Sequence, residues 1–156
     1  MTNTINFKIT TPEKTVYENN VVEQVTIPTM DGEITVMPNH IPLVSILKAG
    51  ELLIKDKIGL HPIAVAGGFL EVRGNNEIII LADNAEVATE IDVDRAEAAR
   101  ARAEKEMKEK SVADVDYARL QAVIDREMNR IRVGKKYRKL SSSQEFKKMP
   151  NEDGDK

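Results

Sequence analysis

The chain has no cysteine, no tryptophan and only two histidines. Without cysteine there is no disulfide, no thiolate nucleophile and no zinc–thiolate site. Two histidines are too few for a typical polyhistidine metal centre. Aromatic residues make up 4% of the sequence, so any core must rest on Ile, Val, Leu and Ala. Long apolar runs are missing too. The longest, Ile78 to Ala82, is far too short to cross a membrane. The N-terminus lacks the basic-then-apolar run of a secretory signal. No Gly-x-x-x-x-Gly-Lys loop occurs, which argues against a P-loop hydrolase. These absences lead us to expect a soluble, cytosolic chain without thiolate chemistry or a polyhistidine metal site.

What is present is charge and aliphatic bulk. The 156 residues are 41% hydrophobic and 31% charged, which suits one medium domain or a small domain with an appendage. The charge is divided unevenly. Residues 1–87 carry 6 basic and 11 acidic residues, whereas residues 88–140 carry 14 basic and 11 acidic. A basic excess late in the chain attracts an acidic partner at short range.

Residues 4–87 read as β throughout. Gln24-Val25-Thr26-Ile27 alternates, turns at Asp31-Gly32, and alternates again over Glu33-Ile34-Thr35-Val36. Glu51 to Lys55 follows Gly50. Ile63 to Ala66 ends at Gly67-Gly68, Phe69 to Arg73 ends at Gly74-Asn75-Asn76, and Ile78 to Leu81 comes next. Short strands with frequent turn signals predict an antiparallel sandwich or closed barrel. Ile78-Ile79-Ile80-Leu81 has no polar face, so both of its sides must be covered, one by the opposing sheet and the other by helices or a partner. Met37-Pro38-Asn39-His40-Ile41-Pro42 is bracketed by prolines and reads as an exposed loop. Asn39 tolerates a left-handed backbone. His40 reads as a surface loop residue, and His61, before Pro62, as an ordinary turn or strand-start residue. A hydrolase built on His40 and Asp31 lacks a convincing nucleophile.

From Ala88 the texture becomes helical. Residues 92–110 are rich in Ala, Glu, Arg and Lys, all strong helix formers. The start is either a capping box at Thr89-x-x-Asp92 or Asp92 as the N-cap. Ala96, Ala99, Ala103 and Met107 form a narrow apolar stripe. Ser111-Val112-Ala113-Asp114 is a second helix start. Beyond it Ala113, Tyr117, Leu120, Ile124, Met128 and Ile131 recur at three- and four-residue spacings, and Gly134 reads as the C-terminal stop. The pattern predicts an antiparallel αα-hairpin with a thin core, marginal unless docked. Such an element is either permanently docked or a switch. Arg132, Lys135, Lys136, Arg138 and Lys139 are five basic residues in eight. They read either as a solvated helix end or as a contact for an acidic surface. Nucleic acid is disfavoured by the acidic first half and the scarcity of aromatics. The expected fold is therefore α+β: an antiparallel β-sandwich or barrel over 1–87, a two-helix hairpin over 88–140, and a polar, disordered tail over 141–156.

Several stretches together resemble a known family. They are Thr11-Pro-Glu-Lys14, Gly32-Glu33, Met37-Pro-Asn-His-Ile-Pro-Leu-Val44, Gly67-Gly68-Phe-Leu-Glu-Val72, Leu81-Ala-Asp83 and Asp114-Val-Asp116-Tyr117-Ala118. In this order and spacing they resemble the epsilon subunit of bacterial F-type ATP synthase, over about residues 4–134. Asn39 stands where the family usually has Gly. The resemblance implies a non-catalytic subunit of the rotating central stalk, peripheral at the cytoplasmic face of the cell membrane. Its sandwich would sit against the gamma subunit and the ring of c subunits, with Glu33 and His40 facing the ring. Its hairpin would lie folded on the sandwich or extend along gamma. Extended, it would inhibit ATP hydrolysis, its basic second helix meeting an acidic region of the catalytic beta subunits.

The resemblance also implies a regulatory ATP site. Ile91-Asp92-Val93-Asp94-Arg95-Ala96 matches the family motif Ile/Leu-Asp-x-x-Arg-Ala, and Glu86, Arg102, Arg126 and Arg130 match other residues of that site. Spacing gives an independent check. Arg95 and Arg102 share one helical face, as do Arg126 and Arg130. In an antiparallel hairpin the pairs Arg95/Arg130 and Arg102/Arg126 both centre on residues 112–114, so four guanidiniums can converge on a triphosphate. Asp92 would orient Arg95 or accept a donor from the adenine or ribose. The alternative is that these charges form ordinary i,i+3 and i,i+4 pairs.

Overall fold

The computed structural model describes residues 3–110 and 115–142. The second helix start expected at Ser111–Asp114 and residues 143–156 of the expected tail lie outside the described residues. Eight strands are followed by a 3₁₀ turn and two helices. The strands are β1 (Ile5–Thr10), β2 (Thr15–Val22), β3 (Gln24–Thr29), β4 (Gly32–Val36), β5 (Leu43–Ile46), β6 (Gly50–Lys55), β7 (Leu60–Arg73) and β8 (Glu77–Val87). The turn covers Ala88–Glu90, and the helices are α1 (Val93–Glu109) and α2 (Val115–Ser142).

Alternation decides which strand residues face inward. Ile5, Phe7 and Ile9 of β1, Val25 and Ile27 of β3, and Leu52 and Ile54 of β6 all enter one aliphatic core. Each such side chain contributes roughly 1.5–3 kcal/mol by leaving water. The order along the sheet is β2-β1-β8-β7-β6-β3-β4, with β5 also on β7. β6 pairs with Leu60–Val65 of β7 and β5 with Phe69–Val72, so the long β7–β8 hairpin is shared by two halves of the sandwich.

Three sequence expectations change here. Gly67-Gly68 does not end a strand; it bends one. Both residues have positive φ, 72° and 119°, and a Cβ on Gly68 would stand 2.1 Å from the Leu81 carbonyl oxygen. The sheet is mixed, because β1 runs parallel to β8. These are the first and last strands, so the whole sandwich serves as their crossover and no βαβ unit is needed. Finally, of the two covers expected for the outer side of Ile78–Leu81, the helices do not supply it, which leaves a partner. Ile78 and Ile80 are buried, while Leu81 is 56% exposed. The hairpin packs mainly on β6 and β7 and meets β8 near its end, at Glu86, so Leu81 stays open.

The helices form an antiparallel pair. Ala96 and Ala103 are buried on α1, against Ile131 and against Leu120 and Ile124 of α2. Met128, expected on the same seam, is instead half-exposed beside Met30 and Leu47. α2 carries a second face toward the sandwich. Val133, Tyr137 and Leu140 cover Ala64, Leu53 and Ala88. Gly134 is not a stop either: α2 continues to Ser142. Its lack of a side chain lets α1 approach, since a Cβ there would lie 2.7 Å from Val93 Cγ2 and 3.1 Å from Ile91 Cγ2.

Candidate functional site

The arginines predicted to converge do so. Asn84 and Glu86 near the end of β8, Arg95, Ala99 and Arg102 on α1, and Arg126, Glu127 and Arg130 on α2 line one open cavity of about 350 Å³. Helical spacing puts Arg95, Ala99 and Arg102 on one face of α1. The antiparallel packing of α1 on α2 then brings Arg126 and Arg130 opposite.

Arg130 is the best-held member. Its Nε lies 2.7 Å from Glu86 Oε2, and its Nη1 lies 2.7 Å from Glu127 Oε2. Arg126 Nη2 is 2.8 Å from Glu127 Oε1. The Glu86 carboxylate, more than that of Glu127, raises the Arg130 pKa against the opposing effect of burial. On the α1 side, Arg95 and Arg102 are exposed and have no ion-pair partner among the described residues. Sequence reasoning missed Asn84, Ala99 and Glu127. Glu127 sits next to Arg126 and three residues before Arg130, so it reads as an ordinary surface pair until the fold buries it.

Three residues of the predicted motif lie elsewhere. Asp92 caps α1, its Oδ1 accepting from the Arg95 backbone N–H at 3.0 Å. This settles the helix start: Asp92, not Thr89, is the N-cap. Asp92 and Ile91 line a second cavity of about 400 Å³ with Thr89, Asp94, Gly134 and Tyr137. Ala96 is fully buried between the helices. These three set how the hairpin sits, and Glu86, Arg95, Arg102, Arg126 and Arg130 share the arginine cavity.

The hairpin is fastened to the sandwich by polar contacts that sequence reasoning also missed. Asn129 is buried, and its Nδ2 donates to the carbonyls of Gly50 at 2.9 Å and Val65 at 3.0 Å. Lys136 Nζ lies 2.8 Å from Glu51 Oε2, and the Tyr137 hydroxyl donates to the same carboxylate. Burial first, and then Glu51, push the Tyr137 hydroxyl pKa up. The basic run is therefore largely engaged in the folded hairpin. Arg132 Nη2 donates to Asn129 Oδ1 at 3.0 Å, and Lys135 lies 2.5 Å from Glu97. Arg138 and Lys139 also have contacts.

Glu33 stands one residue into β4, beside the β3–β4 turn, and is exposed. His40 lies beyond the other end of that strand, half-buried, its Nδ1 2.7 Å from the Ile41 carbonyl oxygen. Asn39 has the left-handed backbone expected of it, with φ 65°, and is held by Asn76 and Asn3. His61 is more than a strand start. It lies 2.9 Å from the buried Asp56 carboxylate and 5.5 Å, ring to ring, from Tyr17. Ile46, Phe69 and Leu81 are cross-strand neighbours, each more than half exposed, and form an uncovered apolar row. Among the described residues, no group of three or more His, Cys, Asp or Glu could hold a metal ion, and no helix is long and apolar enough to cross a membrane.

A sandwich carrying a helical hairpin defines the class of protein. The family models matched are the beta-sandwich domain of the ATP synthase delta/epsilon chain, over residues 4–88, and its long alpha-helix domain, over residues 89–135. The chain belongs to this family, among the bacterial ATP synthase epsilon chains. It is 40% identical to the ATP synthase epsilon chain of Desulforamulus reducens over 132 residues, covering 85% of this chain and 98% of the relative. With the epsilon chain of Staphylococcus aureus it is 44% identical over 131 residues, covering 84% and 96%. The fold is also that of a chain in the Euglena gracilis mitochondrial ATP synthase OSCP/F1/c-ring structure. That likeness has TM-score 0.69 at 21% identity and covers 81% of this chain and 79% of the other.

Proposed function

We propose that this chain is a non-catalytic rotor subunit of the proton-translocating ATP synthase that couples gamma to the c ring and restrains ATP hydrolysis through its hairpin. In this reading it sits peripherally at the cytoplasmic face of the cell membrane and inserts nothing into the bilayer. The uncovered row Ile46–Phe69–Leu81 suits an apolar partner such as gamma. The exposed Glu33 and the His40 loop are available to polar loops of the c ring.

The observation that carries the regulatory part is the arginine cavity. It is lined from the sandwich and from both helices, so it exists only while the hairpin is folded. A polyanion bound there stabilises the folded state by its differential affinity. ATP fits the charge of four guanidiniums and the size of the cavity. Extension would part Lys136 from Glu51 and release basic groups for an acidic surface of the beta subunits. A constitutive adaptor with a fixed hairpin is the rival reading. ATPase assays of the assembled complex separate the two. A chain ending at Val87 should raise hydrolysis relative to the full chain, and equal rates would leave only the adaptor.

A further inference from the structure

We propose that Glu127 is an internal stand-in for the anion, a carboxylate that holds the α2 arginines in position and competes with the incoming phosphates for them. The proposal rests on reading the cavity as an ATP site. Its basis is the placement of Glu127. The side chain is 1% exposed, yet it belongs to the lining of an open cavity among four arginines. A carboxylate that buried persists only when paired. Here both oxygens are taken. Oε1 accepts from Arg126 Nε at 2.9 Å, and Oε2 from Arg130 Nη1 at 2.7 Å.

The consequence is an asymmetry between the two walls. On α1, Arg95 and Arg102 have no ion-pair partner among the described residues. On α2, both arginines are already committed to a carboxylate. A polyphosphate meets the α1 arginines freely, but it engages the α2 arginines only by sharing them with Glu127. The same carboxylate relieves repulsion between Arg126 and Arg130, one turn apart on the helix. Glu127 thus lowers affinity while keeping the guanidiniums oriented, and it tunes the cavity to an abundant polyphosphate rather than a scarce one.

Glu86 differs in a way that makes the test clean. It reaches Arg130 from β8 and so ties the hairpin to the sandwich. The Glu127 pairs lie within α2, at i,i+1 and i,i+3. Neutralising Glu127 therefore removes no hydrogen bond or ion pair between elements.

The experiment is calorimetric titration of the full chain with ATP and, separately, with inorganic triphosphate. Wild type is compared with two neutral replacements of similar shape, Glu127→Gln and Glu127→Met, and with the charge-retaining Glu127→Asp. Far-UV circular dichroism checks that each keeps its helices. Either neutral variant should bind both ligands about tenfold tighter or more, with ligand-free melting unchanged or lower. Glu127→Asp should stay within about threefold of wild type. A purely structural role would weaken binding and melting together. If wild type binds ATP and a folded neutral variant binds no tighter, the inference fails and the ATP site stands. If neither wild type nor the neutral variants take up ATP or triphosphate, both fail. Loss of the helices in both neutral variants overturns the inference as well, because Glu127 is then structural.

Discussion

Asn129→Ala is the sharpest probe of how the hairpin is held. The Asn129 Nδ2 donates to two strand carbonyls, Gly50 and Val65, which are cross-strand partners in β6 and β7. Its Oδ1 accepts from Arg132. Alanine removes both donors and leaves the carbonyls under a helix that shields them from water. A buried acceptor stripped of its partner costs about 1–3 kcal/mol. Partial access of water to one of the two brings the expected loss to about 2–4 kcal/mol, or roughly 30- to 800-fold in the docking equilibrium. The absence of cysteine makes the assay simple. Lys57→Cys on the sandwich and Lys105→Cys on α1 are exposed sites for a fluorophore pair. Urea titration followed by energy transfer between them reads undocking directly. The midpoint should fall by an amount equivalent to about 2–4 kcal/mol, while strand signals follow the wild-type curve. A shift below about 0.5 kcal/mol would refute the reasoning, because a surface substitution does as much.

Gly134→Ala sets two effects against each other. Alanine favours an isolated helix by about 1 kcal/mol, but its Cβ would meet Val93 Cγ2 at 2.7 Å, and overpacking costs about 1–3 kcal/mol. The hairpin should undock at lower urea in the same energy-transfer assay, and a higher midpoint would contradict the packing role given to Gly134. Asp56 provides a pH prediction. Burial pushes its carboxyl up, but the hydrogen bonds from His61, Gly59 and Ile58 outweigh this and hold its pKa below the ordinary value. A depressed folded pKa contributes stability that is present above the unfolded value, about 3.9, and is lost as pH falls through the folded one. Asp56→Asn should therefore lower the melting temperature at neutral pH and flatten the acid limb below about pH 4; an unchanged acid limb would remove Asp56 from the account.

Much of the fold is legible in the sequence because alternation and turn chemistry are local. Val25/Ile27 and Leu52/Ile54 face the core for the reason their spacing suggests. What escapes is whatever depends on a second element. Gly67-Gly68 looks like a strand end, because a bend and a break use the same residues. Leu81 reads as needing a cover, but whether helices or a partner provide it is not legible, because the reach of the hairpin is not visible in the sequence. Gly134 looks like a stop, although its smallness serves Ile91 and Val93 of a segment some forty residues away. α2 must satisfy α1 with Leu120, Ile124 and Ile131 and the sandwich with Val133 and Tyr137, so neither stripe stands out alone.

The site divides in the same way. Arginine spacing along two antiparallel helices is geometry that a sequence carries, and Arg95, Arg102, Arg126 and Arg130 do share a cavity. The alternative of ordinary helix pairs also holds in part, since Arg130 and Glu127 are an i,i+3 pair. Both are true because one carboxylate serves both arrangements. The contiguous motif is less informative. Ile91, Asp92 and Ala96 adjoin Arg95 in sequence, but a helix start sends neighbours to different sides. Asp92 turns back to cap the helix, and Ala96 turns inward.

The central claim is that a polyphosphate is held by arginines from both helices of the folded hairpin. Calorimetric titration of the full chain with ATP, beside Arg95→Ala from α1 and Arg126→Ala from α2, tests it most directly. The account predicts one ATP per chain, with affinity lowered by about tenfold or more by either substitution. No heat at millimolar ATP, or the same affinity in all three proteins, would contradict it.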